Sequence, residues 1–130
     1  MKKGEKVLSF VKYEKEIESE YREKLSSVKR LDEVGEVFIE FAMKFLKKVV
    51  PELDEREFIE DISFVPENEE IGFTLSTRLK KFLKEEIIEK SDLMAILKRM
   101  ADEAIHRYKK IKSDEERTET FRKKPDITGR

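Results

Sequence analysis

A mainly α fold is what this sequence predicts: a four-helix bundle of two helical hairpins, joined by a long B–C crossover with room for a short β-hairpin. Three observations carry it. One segment is written twice, since Glu33-Val-Gly-Glu-Val-Phe-Ile-Glu-Phe-Ala42 aligns with Asp92-Leu-Met-Ala-Ile-Leu-Lys-Arg-Met-Ala101. The paired apolar positions are Val34/Leu93, Val37/Ile96, Phe38/Leu97, Phe41/Met100, Leu46/Ile105 and Val49/Tyr108. Each copy follows another helical segment across a short polar break, so each is half of a hairpin. Between the hairpins the apolar period changes from that of a helix to that of a strand.

The elements follow in order. Residues 5–28 read as helix A, with Val7, Phe10, Val11, Ile17, Tyr21, Leu25 and Val28 at helical spacing. Asp32 is the expected N-cap of helix B, and Pro51 marks its end. Asp54-Glu-Arg-Glu57 has capping-box spacing and should start a short helix through Phe58 and Ile59. Ile62-Ser-Phe64-Val and Ile71-Gly-Phe73-Thr-Leu75 alternate around Pro66-Glu-Asn-Glu-Glu70, the pattern of a small hairpin. Thr74 or Ser76 is the expected cap of helix C, which carries Leu79, Phe82 and Leu83. Ser91 caps helix D, expected over 92–112, and Ser113-Asp-Glu-Glu116 should begin another short helix. Residues 1–124 form one domain in this reading, and the tail from Pro125 is expected to be disordered.

Composition narrows the function classes. The 130 residues are enough for one domain with a real core. Lys+Arg 29 against Asp+Glu 30 leaves almost no net field, so neither nucleic acid nor an anionic membrane is the predicted partner. Charged residues make up 45% of the chain and are mixed in sign, which predicts a surface laced with ion pairs. The chain has no Cys, Gln or Trp and a single Asn, Asn68, which together with abundant Glu and Lys points to a heat-adapted source. With no cysteine there is no thiol chemistry. No signal peptide or long apolar run is evident, and a cytoplasmic location is expected.

Polar residues on the helical faces are the candidates for chemistry. On helix A the apolar stripe centres on Glu14, with Glu18 about 40° away. A carboxylate there must be paired, protonated or metal-bound. An ion pair with Arg107 or Lys48 is the structural explanation, and a residual metal site is the functional one. On helix D, Glu103-Ala-Ile-His106 has the Glu-x-x-His spacing of bundle metal sites. Its facing is outward, Glu103 about 110° and His106 about 170° from the core side. Glu86 lies in the stripe of helix C, but about 16 Å along the bundle from Glu14. Scattered glycines allow no phosphate-cradling loop, and one outward histidine allows no Ser-His-Asp arrangement.

Two hairpins joined by a long crossover, with Glu14 seven residues before Tyr21, resemble the ferritin-like superfamily, rubrerythrin-type bundles in particular. The resemblance spans most of residues 5–112. It implies two irons held by a Glu from helix A, one from helix C and Glu-x-x-His pairs from B and D. Glu14 matches the helix A position. Phe45 and Lys48 fall at the helix B positions, Ala104 and Arg107 at those of helix D, and Ser76 or Thr77 at that of helix C. The resemblance therefore implies a bundle without its di-iron centre, with Phe45 filling the vacated space and Arg107 neutralising Glu14. Its metal-binding variant keeps iron or another divalent metal near Glu14, Glu18, Glu103 and His106.

Two further resemblances concern enzymes. Arg99 and His106, seven residues apart on one exposed face and followed by Arg107-Tyr108, are similar to the motif of HEPN-type ribonucleases. That likeness implies RNA cleavage at a dimer interface, His106 as general acid/base and Arg99 on the phosphate. Met100 stands where that family places Asn, Asp or His. Glu33-Val-Gly-Glu36 with Glu57-Phe-Ile-Glu60-Asp61 faintly resembles the magnesium-binding acidic pairs of all-α nucleoside triphosphate pyrophosphohydrolases. The expected function is non-enzymatic: a helical scaffold or interaction domain, a homo-oligomer or bound to a protein partner, with no cofactor. Its expected contact surface is the crossover, with Phe64, Val65, Ile71 and Phe73, where those side chains are not all folded inward.

Overall fold

The computed structural model describes residues 9–128, with side chains through residue 116. Its long helices are α1 (Val11–Ser27), α2 (Leu31–Val49) and α6 (Leu93–Thr128). Between α2 and α6 run α3 (Glu55–Phe58), a 3-10 turn (Ile59–Asp61), strands β1 (Ile62–Phe64) and β2 (Phe73–Leu75), then α4 (Thr77–Leu83) and α5 (Glu85–Glu89). The protein is mainly helical with one two-stranded antiparallel sheet, in the register Ile62↔Leu75, Ser63↔Thr74, Phe64↔Phe73.

The duplicated segment folds as the pairing predicts. Val34, Phe38, Phe41 and Leu46 of α2 are buried, and so are their counterparts Leu93, Leu97, Met100 and Ile105 of α6. Val49 and Tyr108, the last pair, are both half-buried against the core. α2 is central and packs on both α1 and α6. Ion pairs show the helix directions. Lys24–Glu40, Lys44–Glu20 and Lys48–Glu16 run α1 antiparallel to α2. Glu14–Arg99 and Arg22–Glu103 run α1 parallel to α6. A parallel first and last helix is the geometric result of a connection that carries the chain back along the bundle.

Several boundaries differ from the sequence reading, each for a local reason. Helix A begins at Val11, and residues 5–8 lie outside the described residues. Helix B starts at Leu31 rather than after an Asp32 cap. Glu33 fills that role from inside the helix, its carboxylate accepting from the backbone N–H groups of Lys29 and Arg30. Asp54 does cap α3 by accepting from Arg56 N–H, but Glu57 completes no capping box because Arg78 holds its carboxylate. Ser76, not Thr74, caps α4, accepting from Leu79 N–H. Helix C does not continue as one element. Lys84 adopts φ 76°, a left-handed conformation that a side chain resists, and it separates α4 from α5. Ser91 Oγ accepts from Leu93 N–H at the start of α6. No new helix begins at Ser113, because α6 runs through it and its backbone is helical to Thr128, past Pro125. Residues 129–130 lie outside the described residues.

Part of the crossover folds inward. Phe73 is buried, and Phe38 meets both Phe64 and Phe73 with ring centroids 5.6 and 6.1 Å apart. Phe64 also sits edge-on to Tyr108. Ile71 alone of the four named residues is left well exposed, at 47%. Gly72 makes this approach possible. It has φ 83°, and a Cβ there would lie 3.0 Å from the Ala101 Cβ. Lys98 and Lys109 of α6 hold the tip, donating to the Glu69 carbonyl and pairing with its carboxylate.

Candidate functional site: the charged seam between α1 and α6

Glu14, Glu18, Arg99, Glu103 and His106 all come to one place, the line where α1 lies beside α6. The helical repeat explains why. Glu14, Glu18 and Arg22 are four residues apart on α1, and Arg99, Glu103 and Arg107 are four apart on α6, so each set forms one ridge. Asp92 fixes the start of the seam, accepting from Ser9 Oγ and from Phe10 N–H. At its centre, beneath the charges, Tyr21 donates to the Met100 carbonyl at 2.6 Å. Burial first, and the Glu103 charge second, push that hydroxyl far above the usual tyrosine range.

Glu14 is the most shielded carboxylate of the seam, with its side chain 13% exposed. Arg99 engages both of its oxygens, Nη2–Oε1 at 2.8 Å and Nε–Oε2 at 3.1 Å. This bidentate contact raises the Arg99 pKa. The cation is thus Arg99 and neither of the two expected. Lys48 pairs instead with Glu16 at 2.9 Å, and that hydrogen bond lowers the Glu16 pKa. Arg107 donates to the Val28 carbonyl at 2.8 Å, closing the end of α1. About two turns beyond Glu14, Arg22 bridges Glu18 at 2.9 Å and Glu103 at 3.1 Å, and Glu103 raises its pKa.

The positions implied by a di-iron resemblance are filled by groups that do not ligate iron. Phe45 and Ala104 are fully buried hydrocarbon. Lys48 and Arg107 carry positive charge, Ser76 caps α4, and Glu14 already faces a guanidinium. This donor set does not suit two irons. Among the described residues, no three or more His, Cys, Asp or Glu side chains are placed to hold a metal ion. Of the other acidic candidates, Glu57 and Asp61 flank Arg78, at 3.1 and 2.7 Å, while Glu36 and Glu60 are exposed.

No family model, curated protein or solved structure matches this chain. The seam must therefore be read from its own chemistry. At the C-terminal end of α1 it widens into a groove of about 570 Å³. Arg22, Leu25 and Ser26 line it from α1, and Asp102, Glu103, His106, Arg107 and Lys110 from α6. Its wall is largely apolar, and Leu25 is almost fully covered. Lys110 escaped the sequence reading as part of a site, and Arg107 entered it only beside Glu14 and in the Arg99/His106 motif, not in this groove. Their spacing from Glu103 and His106 was visible, but not that α1 stops short and leaves the groove open. Among the described residues, no helix is long and apolar enough to cross a membrane.

Proposed function

We propose that this chain is a non-catalytic helical interaction domain that self-associates. The observation that carries the reading is the mutual engagement of the seam. Both oxygens of Glu14 face Arg99, and Glu18 and Glu103 share Arg22. A phosphate-binding arginine or a metal ligand drawn from these groups would first have to break an ion pair. In this reading the two hairpins form a ferritin-like bundle without its metal chemistry, the short α4 and α5 standing where a longer helix C would lie. The parallel course of α1 and α6 and the fully buried Phe45 support that view. Self-association comes from the resemblance. The stretch of α6 beyond Ile111, about 25 Å at helical rise, is the element we assign to it.

Activity toward RNA tests the non-catalytic half directly. The wild type and the Arg99→Ala and His106→Ala variants are incubated with single-stranded and structured RNA. The expected result is no cleavage above buffer in any of the three. Cleavage by the wild type that His106→Ala abolishes, with the fold intact by circular dichroism, would replace this reading with the ribonuclease one.

A further inference from the structure

The groove at the end of the α1–α6 seam has a charge balance unlike the rest of the seam. Of its two carboxylates, Glu103 is held by Arg22, and Asp102 is held by Lys98 at 2.5 Å. Arg22 is itself neutralised by Glu18 and Glu103. Three groups remain: Arg107, Lys110 and His106, none of them in an ion pair among the described residues. Arg107 is the most constrained. Its Nη2 is committed to the Val28 carbonyl, and its Nε is shielded from solvent with no acceptor. A shielded guanidinium N–H without an acceptor is costly, and such a group in a native protein calls for an explanation. Beneath these three groups lies hydrocarbon, Leu25 and the stems of the long side chains around it.

We propose that this groove binds a small organic anion: an apolar body lying on Leu25, with a carboxylate, phosphate or sulfonate held by Arg107 and Lys110 and reached by His106. Two features favour this occupant. The groove, about 570 Å³ and open to solvent along one side, has room for a small molecule. The uncompensated charge is positive while the wall is largely apolar, so neither an inorganic ion nor a neutral hydrocarbon satisfies both. The inference goes beyond the proposed interaction role and does not depend on self-association, because the groove is complete within one chain.

The probe is 8-anilinonaphthalene-1-sulfonate, compared with its uncharged counterpart N-phenyl-1-naphthylamine and with inorganic phosphate. Binding is followed by titration calorimetry and by amide shifts in ¹⁵N-labelled full-length protein. The expected result is saturable one-to-one binding of the sulfonate, with shifts confined to residues 22–26 and 102–110. The neutral counterpart and phosphate should each bind at least about 10-fold more weakly, the loss of roughly one favourable contact. Lys110→Glu should weaken the sulfonate by a similar factor. Lys110 lies on the exposed face of α6 and its replacement leaves the Arg107 clamp on Val28 in place, so the fold is preserved even if Arg107→Ala unfolds the chain. Equal binding of the neutral counterpart, shifts outside the groove, or an unchanged affinity in Lys110→Glu would overturn the proposal.

Discussion

Removing the charge of Glu14 should cost stability, and only as long as Arg99 is present. The two hydrogen bonds, 2.8 and 3.1 Å, place the charge centres about 4 Å apart. Their gross attraction is about 1 kcal/mol in a water-like medium and about 4 kcal/mol at an effective dielectric constant of about 20. Arg99 is half exposed and Glu14 is 13% exposed, so the true medium lies between these limits. Solvent screening and the cost of fixing two long side chains reduce the net coupling to about 1–2 kcal/mol, the upper end for an exposed pair because the geometry is bidentate. The assay is a double-mutant cycle, with Glu14→Gln, Arg99→Gln and the double variant unfolded in urea at neutral pH and low salt. Each single variant should lose about as much as the double. A coupling below about 0.3 kcal/mol, or a stabilised Glu14→Gln, would refute the claim that the seam is held together by this pair.

Three further outcomes follow from the same structure. Phe45→Ala, at a position with no exposure, should cost about 3–5 kcal/mol in chemical denaturation. A loss under about 1 kcal/mol would mean that this space is not packed. Gly72→Ala forces a side chain to φ 83° and drives its Cβ to 3.0 Å from Ala101, and should destabilise by about 1–3 kcal/mol. A neutral result there would show that the hairpin stands off α6. The hydrogen bond from Arg78, then that from Ser76, hold the Asp61 pKa below its ordinary value. The contribution of Asp61 to stability is therefore complete above the ordinary carboxylate range and lost as pH falls through its lower folded value. Asp61→Asn should remove that acid-side dependence, and a carboxyl NMR titration showing Asp61 at or above its ordinary pKa would contradict it.

Much of the fold was legible from spacing because packing decides it. The repeat pairing Val34 with Leu93 and Phe38 with Leu97 picked out positions that bury together, since one helical period selects one face. The hairpin was legible for the same reason, at a period of two. The interruption at Lys84 was not, because a lysine carries no local signal for a left-handed backbone and only tertiary packing places it there. Nor was the passage of α6 through Ser113, since capping-box spacing arises by chance in a chain so rich in Glu. Among the candidate site residues, the angular placement of Glu14 was legible and its partner was not. Choosing Arg99 over Arg107 requires the parallel register of α1 on α6, which depends on the long connection between them. The groove lay beyond sequence for a related reason: it exists where one helix ends beside another that continues.

Native mass spectrometry of the full chain, expressed with iron, manganese and zinc supplied, reads subunit number and bound metal in one spectrum. The account predicts a metal-free dimer or larger assembly. A monomer at working concentration would contradict the interaction role, and two metals per chain would contradict the ion-paired seam itself.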